Sequence, residues 1–254
     1  MAQRKLLSQG ILRSRGKKKT GALDAAGIVM EIDKRISSVP EIRAKSVLLG
    51  RDCEVIPILL SIHAEKEPKI LDCTYNEGKM WKGIRDRYDL TTMDIESKYR
   101  TDRVGDFRDM PFPDSSFDVI VFDPPHLPTH AASPGSSKIF EQRYGNTADT
   151  GRGRDGDNIS PMFAGFLKEA KRVLKENGVV LAKLADIVHN HRYQWHIVDF
   201  VNEVRNSGMT PCDLMIKCDP SAGNLKSGKW ENVRHLRKGH CYWIVVRNSK
   251  HCER

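Results

Sequence analysis

The chain contains no apolar run approaching the roughly 20 residues that a membrane span requires. Its start, MAQRKLLSQG, is followed by neither an apolar segment nor a small-residue cleavage site. Neither a membrane nor a secretory role is expected. The six cysteines (Cys53, Cys73, Cys212, Cys218, Cys241, Cys252) form no CxxC pair and show no regular spacing. A small disulfide framework is thereby disfavoured, and reduced thiols in a cytoplasmic setting are expected. His189, His191, His235, His240 and Cys241 match no tight zinc-ligand pair, so no metal site is expected. Acids are missing from residues 1–20, which carry seven Lys or Arg, and residues 220–254 carry eight against two acids.

What is present is a chain of 254 residues with 39% hydrophobic and 30% charged side chains, the composition of one globular α/β core with appendages. The formal net charge of +9 gathers at the two ends. Such ends attract a polyanion through screened, salt-dependent electrostatics, or else serve as solubilising tails.

Residues 1–20, with RSRGKKKTG, read as a flexible basic arm. Residues 21–66 read as a helical cap, with helices in ALDAAGIVMEIDKRI and in CEVIPILLSIHAE, the latter interrupted or entered at Pro57. From 67 to 254 short apolar runs alternate with helix-like segments. KILDCTY, YDLTTMDI, RVGDF, FDVIVFD, GVVLAKLA, CDLMIKC and CYWIVVR are expected strands. EGKMWKGIRDRY, ISPMFAGFLKEAKRVLKENG and YQWHIVDFVNEVRNSG are expected helices, the last two stopped by glycine. This alternation predicts a mostly parallel sheet covered on both faces, with ligands bound beyond the strand carboxyl ends. Residues 127–158, rich in Gly, Ser, Asp and Arg, form one long loop of the length expected for a lid or a binding segment.

Three acids end successive strands: Asp72 in ILDCTYNEG, Asp94 in TTMDIES and Asp106 in VGDFRDMPF. They are followed by FDVIVFDPPH. With these residues the chain resembles the class I S-adenosylmethionine-dependent methyltransferases, and among them the amino-methyltransferases of nucleic-acid bases that carry a DPPY-type motif. The resemblance spans roughly 69–247. It implies a Rossmann-like fold with a mostly parallel seven-stranded sheet and helices on both faces. It also implies S-adenosylmethionine as cofactor and nucleic acid as partner, DNA favoured and RNA possible.

By the same resemblance the turn from Asp72 to Gly78, with Cys73, Thr74, Tyr75 and Asn76, forms the floor beneath the methionine moiety. Asp94, with Ile95, receives the ribose hydroxyls, and Asp106 with Phe107 contacts the adenine. The family's G-x-G is replaced by Gly78 alone. S-adenosylmethionine carries no phosphate to draw against backbone N–H groups, and Thr74 or Asn76 can supply side-chain hydrogen bonds instead.

The Asp123 carboxylate and the Pro124 carbonyl would accept the two hydrogens of an exocyclic amino group and free its lone pair. Pro124 and Pro125 would lock the turn. His126 stands where the family places an aromatic ring, and it can either stack on a base or hydrogen-bond to it.

Lys17, Lys18, Lys19, Arg192, Lys229, Trp230, Arg234, Arg237 and Lys238 are expected on a basic rim facing the nucleic acid. Tyr193 and Trp195 interleave aromatic rings with that charge. The leading expectation is methylation of adenine N6 or cytosine N4 in DNA, with the base flipped out of a duplex. The alternatives are the same chemistry on tRNA or rRNA bases, or a non-catalytic nucleic-acid-binding protein on the same fold. Neither oligomeric state nor target sequence follows from the residues.

Overall fold

The computed structural model describes residues 45–126, 159–189, 192–218 and 238–252. The chain divides into two units, Met1–Glu41 and Ile42–Arg254, and every described residue belongs to the second. The basic arm, the first expected helix and the 127–158 loop lie outside the described residues.

The described chain forms ten strands: β1 (Val47–Leu49), β2 (Lys69–Asp72), β3 (Asp89–Asp94), β4 (Arg103–Val104), β5 (Phe117–Phe122), β6 (Leu174–Leu184), β7 (Ile187–His189), β8 (Arg192–Gln194), β9 (Thr210–Cys218) and β10 (His240–Arg247). Eight of them make a central sheet in the order β1-β9-β10-β6-β5-β2-β3-β4, while β7 and β8 pair as a separate hairpin. Three helices pack on the sheet: α1 (Asp52–His63), α2 (Ser160–Val173) and α3 (His196–Asn206).

β2 pairs in parallel with both β3 and β5. The chain runs outward from β2 to the β4 edge and then returns to β5 on the other side. This reversal is the topological switch point of a doubly wound sheet, where the diverging connections leave a crevice. β10 is antiparallel to both β6 and β9. The Rossmann-like, mostly parallel sheet with helices on both faces expected from the sequence is thus the one the chain adopts, with eight strands rather than seven because β1 adds parallel to β9.

β5, FDVIVF, is buried along almost its whole length, because a central parallel strand is covered on both faces and needs no polar alternation. Leu71, Ile120, Phe122, Val180 and Ile244 pack under α2 and α3. Ile70, Val119, Val121, Leu181 and Trp243 face α1 together with Met80, Trp81 and Ile84.

Several expected elements differ. In place of a helix over 77–88 there are two 3₁₀ turns, Lys79–Trp81 and Arg85–Arg87. Gly78 and Gly83 both adopt positive φ, which an α-helix does not accommodate, and the segment is instead held by its buried Met80, Trp81 and Ile84. α2 stops at Val173 rather than running to Gly178. Leu174 already pairs with Phe117, and the Asn248 side-chain amide donates to the carbonyls of Lys171, Leu174 and Lys175 at the helix end. Pro57 does not interrupt α1, and Val47–Leu49, within the expected cap, is a sheet strand. RVGDF forms only two residues of strand. Cys212 and Cys252 form a disulfide, a pairing across 40 residues that no sequence spacing revealed, and it corrects the expectation that all thiols are free. No helix among the described residues is long and apolar enough to cross a membrane.

Candidate active site

The turn after β2 is tied to both neighbouring strands. Cys73 N–H donates to the Val121 carbonyl of β5 and Tyr75 N–H to the Met93 carbonyl of β3. The Thr74 hydroxyl accepts the backbone N–H of Asp123 at 2.7 Å, and Asp94 accepts the N–H of Asn76 at 2.8 Å. The strand ends are therefore cross-linked at the switch point without a glycine-rich turn. Gly78 serves the backbone: its φ is +65°, and a Cβ there would collide with the Tyr75 ring.

Above this turn lies a cleft of about 490 Å³, within the roughly 300–1,000 Å³ typical of small-molecule sites. Of the residues singled out in the sequence, Cys73, Thr74, Tyr75, Asn76, Asp94, Ile95, Asp106, Phe107, Asp123, Pro125 and His126 line it. Asp72, Pro124 and Gly78 do not. Asp72 is fully buried beneath the floor, accepting the Trp81 indole N–H at 2.6 Å and the Thr74 N–H at 3.0 Å. Burial pushes its carboxyl up to about 7. Pro124 is buried and is not among the residues that line the cleft.

The carboxylates that line the cleft differ in their environments. Burial raises the Asp94 carboxyl, although its two oxygens accept N–H bonds from Asn76 and Glu96. Burial also works to raise Asp106, but the guanidinium of Arg108, 2.6 Å away, outweighs it and holds the carboxyl below its usual range. Asp123 follows the same logic: burial raises it, and the Lys183 charge, then His126, overcome that and keep it below the ordinary carboxylate value. Lys183 Nζ is 3.0 Å from Asp123 Oδ2, and His126 Nε2 is 3.4 Å from Oδ1.

No sequence signal points to what stands behind Asp123. Lys183 also reaches Asp52 at 3.1 Å, and Asp52 is held by Lys217 at 2.8 Å and by the Trp243 indole N–H at 3.2 Å. The result is a chain of alternating charge, Lys217–Asp52–Lys183–Asp123, with the His126 ring beside its last member. Burial works to lower Lys183, but Asp123 and Asp52 outweigh it and hold the ammonium above its ordinary value. His126 Nδ1 is buried with no hydrogen-bond partner among the described residues.

No family model and no curated protein matches the chain. Among solved structures, an S-adenosylmethionine-dependent methyltransferase of Methanosarcina mazei is 13% identical, with 75% of this chain and 97% of that one covered at a TM-score of 0.47. A candidate DNA modification methylase of Thermus thermophilus, solved with S-adenosyl-L-methionine, is 18% identical over 57% of this chain and 54% of its own, at a TM-score of 0.39. TrmN of Thermus thermophilus is 13% identical over 77% and 48%, at 0.43. The chain spans about half the length of the two Thermus proteins.

Of the expected basic rim, only Arg192 and Lys238 fall among the described residues. Arg192 is exposed on β8. The Lys238 ammonium lies 3.7 Å from the centre of the Tyr193 ring and donates to its hydroxyl. Tyr193 in turn donates to the buried Asp186 at 2.8 Å and stacks obliquely on the exposed Trp195. Lys17, Lys18, Lys19, Lys229, Trp230, Arg234 and Arg237 lie outside the described residues.

Proposed function

We propose that this chain is an S-adenosylmethionine-dependent methyltransferase acting on an exocyclic amino group of a nucleic-acid base, adenine N6 or cytosine N4 in DNA. One observation carries the reading. A single cleft at the carboxyl ends of β2, β3 and β5 gathers Asp94, the Asp106–Phe107 pair and the Asp123–His126 pair on one wall system.

The cleft suits the cofactor in chemistry as well as in size. Asp94, ending β3, offers carboxylate acceptors for two ribose hydroxyls. Ile95 and Phe107 offer apolar surface to an adenine ring, and the 73–76 turn supplies the polar side chains of Thr74 and Asn76 for an amino-acid moiety. When bound, the cofactor supplies an electrophilic methyl group on a sulfonium.

The amino nitrogen of a base is a poor nucleophile because its lone pair is delocalised into the ring. Asp123, ionised beside Lys183, accepts one amino hydrogen and favours the pyramidal nitrogen whose lone pair can attack. Each of its oxygens already meets one donor and keeps lone-pair capacity for a second. His126 flanks this position and takes the place of a stacking aromatic. Catalysis here is chiefly positioning and electrostatics, and a duplex target must be flipped out to enter. Methylation of RNA bases is the second reading, favoured by the exposed Trp195 beside Tyr193 and Lys238, a platform suited to unpaired bases.

The test is incubation with isotopically labelled cofactor and separate DNA and RNA pools, followed by mass analysis of the nucleosides. N6-methyldeoxyadenosine or N4-methyldeoxycytidine from the DNA pool supports the proposal. Cofactor binding without transfer to either pool would leave a non-catalytic binding protein. Asp123→Ala is expected to abolish transfer while cofactor affinity stays nearly unchanged.

A further inference from the structure

Lys183 is a lysine held inside a strand, its side chain only 18% exposed, and a buried ammonium is costly unless it is paired. Neutralising Asp123 needs one contact, yet two carboxylates grip this ammonium from different elements, Asp123 beyond β5 and Asp52 at the start of α1. Asp52 is itself fixed by Lys217 and Trp243. The Lys183 head is thus oriented as well as compensated.

The two lysines and two aspartates cancel, so the cluster adds no net charge to attract a phosphate or repel a sulfonium. Cys241 also lines the cleft, and burial pushes its thiol up to about 11, so it adds none near neutral pH. What the cluster offers is direction. An ammonium has three N–H donors; two are met by carboxylates, and Lys183 lines the cleft. Among the described residues its third donor has no protein partner. A donor and an acceptor, Lys183 Nζ and Asp123 Oδ2, therefore stand 3.0 Å apart on one wall.

We infer that Lys183 is the specificity-determining donor of this site, hydrogen-bonding the unprotonated ring nitrogen next to the target amino group while Asp123 accepts an amino hydrogen. The inference rests on the methyltransferase reading above and narrows it. Adenine presents N6–H beside the acceptor N1, and cytosine N4–H beside the acceptor N3, the arrangement complementary to this pair. Guanine offers N2–H beside an acceptor, N3, only on the edge next to its sugar; on its Watson–Crick edge N2–H lies beside N1–H, a second donor that would point at the ammonium. A site built to hydrogen-bond one edge rejects the base whose groups it would leave unpaired.

The experiment uses the full chain and two synthetic oligonucleotides that differ only at the target base. One carries the natural base and the other carries C–H in place of the adjoining ring nitrogen. kcat/KM is measured for wild type and for Lys183→Met. Wild type is expected to lose about ten- to hundredfold on the analogue, the worth of a hydrogen bond to a charged donor. The variant is slow on both and separates them by no more than about threefold, so the analogue's intrinsic reactivity cancels from the comparison.

Equal discrimination by wild type and variant, or equal wild-type rates on both bases, overturns the inference and leaves the methyltransferase reading intact. Absence of transfer to any base overturns both. Should Lys183→Met fail to bind labelled cofactor, the shorter, uncharged Lys183→Gln takes its place in the same comparison: a discrimination that falls below the wild-type value supports the inference and an equal one refutes it.

Discussion

The indole N–H of Trp81 donates to the carboxylate of Asp72 at 2.6 Å, in a part of the core from which solvent is excluded. The contact fastens the second side of the cleft floor to the end of β2. Because burial raises Asp72 to about 7, the folded chain binds more protons at this residue than the unfolded chain does between pH ~4 and 7. That contribution to stability is complete below the unfolded value and is lost as pH rises through about 7. The stability advantage of wild type over Asp72→Asn is therefore expected to shrink from pH 5 to pH 8. Urea midpoints at the two pH values measure it, and an advantage that grows with pH would contradict this account.

Asp123 has the opposite sign. Burial raises it, but Lys183 and His126 hold it below the carboxylate range, so its stability contribution is present above the unfolded value and fades only as pH falls through the lower, folded one. The pH–rate profile of methyl transfer is expected to show no limb from Asp123 between pH 8 and 5. Lys183→Gln removes the strongest lowering influence and moves the acid limb upward. An unmoved limb would mean that the two residues are not electrostatically coupled.

Arg172 on α2 binds the loop that follows Asp106. It donates to the carbonyls of Met110 and Phe112 and to the carboxylates of Asp114 and Glu169. Arg172→Met strands the mostly buried Glu169 and is expected to destabilise the fold by about 2–4 kcal/mol. It should also lower cofactor affinity, because Asp106 and Phe107 lie at the start of the released loop. Denaturation and cofactor titration together test this; a loss of stability with unchanged affinity would separate the loop from the site.

Asp94→Ala is expected to weaken cofactor binding by about tenfold or more, since it removes proposed hydroxyl acceptors and also frees the Asn76 and Glu96 N–H groups. Calorimetric titration reads the effect. Unchanged affinity would remove Asp94 from the cofactor's partners.

Residues 1–20 carry seven basic side chains. Their deletion is expected to weaken nucleic-acid binding and flatten the dependence of log K on log salt. An unaltered slope would reduce the arm to a tail.

Much of the site is legible in the sequence because strand ends announce themselves. A short apolar run that closes on an acid shows where a parallel strand leaves the sheet, and Asp94, Asp106 and Asp123 stand out that way. Lys183, Asp52 and Lys217 do not. A lysine in KLA or IKC reads as the solvent side of a strand, and Asp52 reads as an ordinary acid in the first turn of a helix. Only the pairing of β6 with β5 and β10, and the packing of α1 beneath, brings them within reach of Asp123. The 77–88 segment misleads for a related reason. Its apolar residues suit a helix, but Gly78 and Gly83 sit at positive φ, a conformation that no periodicity reports. The Cys212–Cys252 pair is invisible because the two thiols meet only once β9 and the chain beyond β10 lie side by side.

The antiparallel placement of β10 has a further consequence. β9 ends at Cys218 and β10 begins at His240 on the cleft side of the sheet, where Cys218 faces His240 across the ladder and Cys241 lines the cleft. The stretch 127–158 likewise departs after His126 and rejoins at Ile159, three residues before the cleft-lining Met162. The described ends of both excursions therefore lie at the carboxyl edge of the sheet, the edge on which the cleft opens. On the function proposed above, substitutions or insertions in either are expected to alter which target is admitted before they alter the strands.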